Sequence, residues 1–396
     1  MTKKTKEDRF QYHDYYNVDE LLSEDHLMAR EAIRDWVKQE VTPIIEDYSE
    51  RAECPVHLFK KLGEVGAFGP SIPVEYGGGG MDEMAYGVIM QELERGDSGV
   101  RSMASVQTSL VMYPIHRYGT EEHRQKYLPK LATGDIIGCF GLTEPNHGSN
   151  PGGMLTNIKD KGDHYLLNGA KMWITNSPVA DIAVVWAKDE EGVVRGMIVE
   201  RGMEGFTTPT THGKWSLRAS VTGELVFEDV KIPKENMFPD IRGLRGPLSC
   251  LSKARYGIAW GAVGAALDCY DSALRYSQER IQFGKPIGQF QLTQKKLAEM
   301  ITEITKAQLL LWRLGTLANE GRASAAQISM AKRNNVLMAL QVAREARQIH
   351  GAMGITNEYP IMRHMMNLET VLTYEGTHDI HLLITGMDVT GFNAFK

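Results

Sequence analysis

The residues best suited to chemistry lie near the C-terminus, in Thr373-Tyr374-Glu375-Gly376-Thr377-His378-Asp379-Ile380-His381. One carboxylate stands between an aromatic residue and a glycine, and a helix follows. Thr377 can cap that helix, whose apolar run is Ile380, Leu382, Leu383 and Ile384. Gly376 lets the backbone turn sharply and lets a ligand approach closely. A glutamate walled by a ring and covered by substrate has its charged form disfavoured. Its pKa then rises towards neutrality, as a general base requires. The same residues also read as a solvated loop glutamate.

Glu375-Gly376-Thr377-His378 spells Glu-x-x-His, a ligand motif of carboxylate-bridged di-iron bundles. Such a site needs a second copy on a helix and two further glutamates. The other copy, Glu144-Pro145-Asn146-His147, carries a proline and is followed by Gly148, so it reads as a turn. His378 and His381, one turn apart, read as a helix surface. No metal is expected.

The elements that must position Glu375 follow from periodicity. Residues 19 to 133 read as helices. Ser23 can cap a segment carrying Leu27, Ile33, Trp36, Val37 and Val41, which Pro43 closes; Asp82 starts another, and Thr120 caps a third that Gly134 stops. From about Asp135 the pattern changes to short β-branched or apolar runs: 136–142, 165–167, 172–175, 182–187, 196–199 and 224–227. Three long helical segments follow, near 248–280, 293–319 and 324–350, with turns at Gly284-Lys285-Pro286 and Gly321. The expected architecture is mainly α with a central β domain. An α-helical N-terminal domain (1–134) precedes a small antiparallel β domain (135–240) and a C-terminal four-helix bundle (241–396).

With 396 residues, 42% hydrophobic and 24% charged, the chain can bury a substantial core. A net charge of -6 argues against a nucleic-acid binder. No run of 18 apolar residues is present, so no membrane span is expected. The opening MTKKTKEDRF has neither an apolar signal core nor the look of a transit peptide, and Cys54, Cys139, Cys250 and Cys269 form no CxxC pair. A cytoplasmic, bacterial setting is the expectation.

No G-x-G-x-x-G follows a strand; Gly63-x-x-Gly66-x-x-Gly69 sits in helix or loop context, so a Rossmann domain is not expected. Four motifs, in order, point elsewhere. They are Phe140-Gly-Leu142-Thr143-Glu144-Pro145-Asn-His-Gly148-Ser149, Trp173-Ile174-Thr175-Asn176, Arg280-Ile-Gln-Phe283-Gly284-Lys-Pro286 and Tyr374-Glu375-Gly376-Thr377. With the helix–sheet–helix order, they make the chain resemble the acyl-CoA dehydrogenase family over essentially its whole length. Further stretches resemble the glutaryl-CoA branch of that family: Glu92-Leu-Glu94-Arg95-Gly-Asp97-Ser98-Gly99-Val-Arg101-Ser102, Cys250-Leu-Ser-Lys-Ala-Arg255-Tyr256-Gly257 and Gln348-Ile349-His350-Gly351-Ala352. One departure is Asn150, where relatives commonly carry Asp; Asn keeps an acceptor and loses the charge.

The resemblance implies an FAD enzyme. It oxidises glutaryl-CoA at Cα–Cβ, decarboxylates the product to crotonyl-CoA, and passes electrons to electron-transfer flavoprotein. Glu375 would be the base. Substrate would be met by Glu94, Arg101, Ser102, Ser149, Cys250, Arg255, Tyr256, Gly257, Tyr374 and Gly376. Arg101 would act as a fork for the substrate's distal carboxylate, with Glu94 tuning its charge. The flavin side would be held by Phe140, Leu142, Thr143, Gly148, Ser149, Trp173, Ile174, Thr175 and Thr377. Arg280, Phe283, Gln291, Gln348, Ile349, His350, Gly351 and Ala352 would hold its adenosine diphosphate half, partly across a subunit boundary, implying a homotetramer. Another short-chain acyl-CoA dehydrogenase, a non-decarboxylating glutaryl-CoA enzyme, a flavin oxidase and a non-catalytic binding module remain as alternatives.

Overall fold

Capping residues set the first helices. In the computed structural model, which describes residues 13–395, Ser23 accepts the His26 amide and opens α1 (Glu24–Trp36). The stretch Met1–Phe10, read above for targeting signals, lies outside the described residues. After α1 the backbone widens into a π turn, Val37–Val41, before Pro43. Then come α2 (Ile45–Arg51), α3 (Leu58–Glu64), α4 (Glu83–Gly96), α5 (Ser98–Ser105), α6 (Tyr113–Tyr118) and α7 (Glu121–Ala132). Asp82 and Thr120 cap α4 and α7 as expected, and Gly134 ends the group with φ 69°.

The sheet contains β1 (Gly138–Gly141), β2 (Asn157–Asp160), β3 (His164–Thr175), β4 (Ile182–Lys188), β5 (Val194–Glu200), β6 (Phe206–Thr207) and β7 (Thr222–Pro233). Its order is β1-β4-β2-β3-β7-β6, with β5 on β4. The expectation of a wholly antiparallel sheet is corrected here. Gly138 to Gly141 pair in parallel with Ile182 to Val185, and Asn157 meets Lys188 in the same sense. The segment between β1 and β4 is long enough for a crossover, which local alternation cannot reveal. The two runs at 165–167 and 172–175 are one strand, β3, broken by irregularities at Leu167/Gly169 and Lys171/Ile174 against β7.

The C-terminal helices are α8 (Arg245–Glu279), α9 (Gln291–Asn319), α10 (Ala325–Ile349), α11 (Ile361–Thr373) and α12 (His378–Thr390). Between α8 and α9 the expected turn carries a small hairpin, β8 (Ile281–Gln282) and β9 (Lys285–Pro286). Phe283 and Gly284 turn it at φ 50° and 77°, the signs a tight two-residue hairpin requires.

Helix α4, buried along nearly its whole length, is the axis on which the halves meet. It packs on a glycine face of α8. A Cβ on Gly257 would enter the Tyr86 ring, one on Gly261 the Glu94 carboxylate, and one on Gly264 the Gln91 carbonyl. Spacing of four and three residues puts these glycines on one stripe, so the two helices approach closely. Asp97, between α4 and α5, caps α5 through Gly99 N at 2.6 Å. It also accepts Arg363 Nη1 at 2.7 Å and Asn367 Nδ2 at 2.9 Å, tying α5 to α11 just ahead of the Glu375 loop. Among the described residues no helix is long and apolar enough to cross a membrane.

Candidate active site

Helix α11 ends at Thr373 and α12 starts under the Thr377 cap, whose hydroxyl accepts Ile380 N at 3.2 Å. The three residues between them form a pinned loop. Lys332, on α10, donates Nζ to Tyr374 O at 3.0 Å and to Gly376 O at 2.9 Å; Arg255, on α8, donates Nε to Glu375 O at 2.6 Å. Glu375 takes φ 52°, the left-handed region that side chains seldom occupy. Gly376 follows at φ 93°, and a Cβ there would lie 2.9 Å from His381 Nε2 and 3.2 Å from Arg255 Nη2. Among the described residues the Glu375 N–H makes no backbone hydrogen bond.

The Glu375 residue is half-buried, but its Oε2 is sealed from solvent and has no hydrogen-bond partner. Burial raises its pKa above the ordinary carboxylate value, against the opposing pull of Arg101, Arg255 and Lys332. Burial likewise draws the Lys332 ammonium down to about 7 and His381 to about 3, so His381 stays neutral beside these cations. Both His381 ring nitrogens lack partners.

Below Tyr374 lies a second polar group. Arg101, 1% exposed, donates Nε to Glu94 Oε2 at 2.6 Å and Nη2 to the Tyr374 hydroxyl. Although burial opposes it, Glu94 holds the Arg101 charge firmly, while burial pushes the Tyr374 phenol up to about 12. Ser102 Oγ sits beside Tyr374, buried and without a partner, as is Glu94 Oε1. A buried cation half-neutralised by one carboxylate, with an unfilled hydroxyl beside it, suits a ligand carboxylate.

Of the expected substrate residues, Arg101, Ser102, Glu94, Arg255, Tyr374 and Gly376 thus gather around Glu375. Tyr256 gives its hydroxyl to Glu83 O at 2.9 Å, Gly257 accommodates the Tyr86 ring, and Cys250 gives its thiol to Gly246 O at 3.3 Å. Their visible contacts are with the protein's own backbone and core. Gly148, Ser149 and the variant Asn150 lie on an exposed loop. Glu144 anchors that loop by accepting Leu155 N at 2.6 Å, Thr156 N at 2.9 Å and the buried Lys171 Nζ at 2.9 Å.

The residues expected on the flavin side divide in two. Trp173 takes φ 63° at the β3 irregularity and stands 57% exposed, two residues from half-exposed Thr175, with half-exposed Thr143 on the segment whose carbonyl accepts the Met172 amide. An open aromatic face with hydroxyls beside it fits a planar heterocycle, so this strand edge fits a flavin. Phe140, Leu142 and Ile174 are buried, leaving them backbone contacts only. Arg280, Phe283 (93% exposed) and Gln291 stand at the far end of α8. At 1.5 Å per residue, Arg280 is about 37 Å along the helix from Arg255. Arg280 therefore stands well away from Arg255 and the Glu375 loop that Arg255 holds. In the Gln348–Ala352 turn, Gln348 accepts Lys296 at 2.8 Å, and His350 stacks on Tyr276 at 4.4 Å with Nδ1 on Ala346 O at 2.8 Å. The His350 ring and the buried Ile349 are engaged within the chain; Gly351 and Ala352 are exposed.

Sequence reasoning missed Lys332 and Lys171, and its reading of His381 as helix surface is corrected: the ring is fully buried, packed against Gly376. A lysine on an amphipathic helix gives no local sign of burial, and only the pairing of α10 with the loop reveals Lys332.

Three family models match: the acyl-CoA dehydrogenase N-terminal domain over residues 23–135, the middle domain over 139–230 and the C-terminal domain over 242–390. Two solved structures of a glutaryl-CoA dehydrogenase from Mycobacterium smegmatis superpose closely. One is 49% identical with TM-score 0.94, covering 96% of this chain and 97% of that one. The other, in complex with FADH2, is 46% identical with TM-score 0.95, covering 96% and 98%. The glutaryl-CoA dehydrogenase of Desulfococcus multivorans is 36% identical over 93% of this chain and 97% of its own. The bovine mitochondrial short-chain specific acyl-CoA dehydrogenase is 34% identical over 92% and 89%.

Proposed function

Since the chain belongs to the acyl-CoA dehydrogenase family and uses FAD, we propose that it oxidises glutaryl-CoA at Cα–Cβ and releases CO2 to give crotonyl-CoA. The observation that carries the choice of substrate is the buried Arg101, held by Glu94 and Tyr374 beside the unpaired Ser102 hydroxyl.

In this reading Glu375 removes the α proton. Its buried, unpaired Oε2 is the atom that takes it, and burial has already raised its proton affinity. The Glu375 N–H holds the thioester oxygen, where negative charge develops. Bound FAD supplies the acceptor for the β hydrogen as hydride, with Thr143, Ser149, Trp173 and Thr175 holding its ring system. Arg101 and Ser102 hold the distal carboxylate during oxidation. Glu94 draws on the same guanidinium and so limits its grip, which lets CO2 leave. The carboxyl of Glu375, now protonated, then returns a proton to the γ carbon.

The span of about 37 Å along α8 between Arg255, at the Glu375 loop, and Arg280 supports a partner subunit completing the adenosine diphosphate end. We propose a homotetramer, a dimer of dimers, with electron-transfer flavoprotein as the electron-accepting partner. Light scattering that finds an FAD-retaining monomer would contradict the assembly.

Anaerobic titration of the purified protein with glutaryl-CoA tests the whole reading. The expected result is loss of the flavin absorbance and crotonyl-CoA by mass. Bleaching by butyryl-CoA but not by glutaryl-CoA would replace it with a short-chain enzyme. Glutaconyl-CoA as the final product would remove the decarboxylation.

A further inference from the structure

We propose that Lys332 is a positioning residue for the base: together with Arg255 it fixes the three successive carbonyls of Tyr374, Glu375 and Gly376, and so aims the Glu375 carboxylate and N–H. The proposal rests on the reading of Glu375 as the base and adds to it a residue on a distant helix.

The geometry is unusual in one respect. In an extended chain the carbonyls of residues i and i+2 point the same way but stand roughly 6.5–7 Å apart, too far for one ammonium to meet both at about 3 Å, and those of a helix point one way along its axis. Here Tyr374 O and Gly376 O converge on one ammonium at 3.0 and 2.9 Å, while the carbonyl between them meets a guanidinium at 2.6 Å. The convergence goes with positive φ at both Glu375 and Gly376, and such backbone persists only where the surroundings over-determine it. Lys332 is 1% exposed, and its two carbonyl bonds stabilise an ammonium removed from water. Arg255 sits on α8 and Lys332 on α10, so the loop is gripped from two helices. The Tyr374 hydroxyl bond to Arg101 adds a third hold, from α5. The other groups facing the carboxylate are Arg101 and Arg255, both cationic, while neutral His381 backs Gly376.

Lys332→Gln removes the charge and keeps an N–H2 donor, and Lys332→Met removes both. Each is to be loaded with FAD, checked by visible spectrum and near-UV circular dichroism, and followed by stopped-flow flavin reduction across pH. Small displacements of a reacting group cost on the order of 10²-fold, so Lys332→Met is expected to lose that much in the reduction rate. Acyl-CoA binding is expected to change far less. Losing a cation beside Glu375 also moves the pH midpoint of reduction upward, in Lys332→Gln as in Lys332→Met, a shift that loosened packing alone does not give. If neither variant folds, Lys332→Arg carries the test: a retained cation should keep the midpoint near that of wild type while the rate falls. A Lys332→Met enzyme within about threefold of the wild-type rate, well short of that loss, with an unmoved midpoint overturns the proposal. Glu375→Gln run alongside separates the two claims. If it reduces flavin normally, the base assignment itself fails; if it is inactive while Lys332→Met is unaffected, only the role of Lys332 fails.

Discussion

Arg101 Nε meets Glu94 Oε2 at 2.6 Å with both side chains out of water, so the pocket's cation is already paired before any ligand enters. A ligand carboxylate must share the guanidinium with Glu94, and an uncharged acyl chain needs no such partner.

Arg101→Met is therefore expected to discriminate between substrates. A charge-assisted hydrogen bond to a buried carboxylate contributes about 1.5–3 kcal/mol. That corresponds to roughly 10–100-fold in kcat/KM for glutaryl-CoA, with butyryl-CoA little affected. Equal losses on both substrates would remove the carboxylate fork.

Glu375→Gln should retain FAD and bind acyl-CoA, while flavin reduction falls by at least the roughly 10²–10⁴-fold usually lost with a general base. Stopped-flow traces within about tenfold of wild type would show another group taking the proton, being well short of that loss.

The rate of reduction should rise with pH, because the base acts in its deprotonated form. Burial places the Glu375 midpoint above the ordinary 4.5, even with Arg101, Arg255 and Lys332 pulling it down. A pH series on wild type and Arg101→Met should show the variant's midpoint higher, one cation having gone. A wild-type midpoint at or below 4.5 would mean that burial is not the controlling influence.

Two glycines allow the α4–α8 packing to be tested without touching the site. A Cβ on Gly264 would collide with the Gln91 carbonyl, whereas Gly386 in α12 has nothing within 4 Å of a Cβ. Gly264→Ala should destabilise by about 1–3 kcal/mol through overpacking. Gly386→Ala should stabilise by about 0.4–1 kcal/mol by restricting the unfolded chain. Denaturant unfolding measures both; the same sign for the two would refute the close-approach account.

The parts of this fold legible in the sequence were those written in neighbouring residues. Ser23, Asp82, Thr120 and Thr377 each cap the helix they precede, because the cap bond spans three residues. The parallel pairing of β1 with β4 was not legible, since it joins residues some forty positions apart and leaves no local trace. Within the site, Glu375 and Arg101 were singled out by the family motifs around them, since the neighbours of Glu375 alone also read as a solvated loop. Lys332 did neither: its two partners lie 42 and 44 residues downstream. The short hairpin at Phe283 was visible only as a turn, because two-residue strands have no periodicity to read.

The left-handed backbone at Glu375 has a consequence for what the protein gives up in order to work. An L-residue in that region costs about 1–2 kcal/mol. Glu375→Gly relieves this strain and also removes a carboxylate held out of water. The extra unfolded-state freedom of another glycine costs only roughly 0.5–1 kcal/mol. Glu375→Gly, loaded with FAD, is therefore expected to lose activity and yet to melt at a higher temperature than wild type. Durability and turnover are then in conflict at a single position, and selection for stability alone would discard the residue proposed as the base.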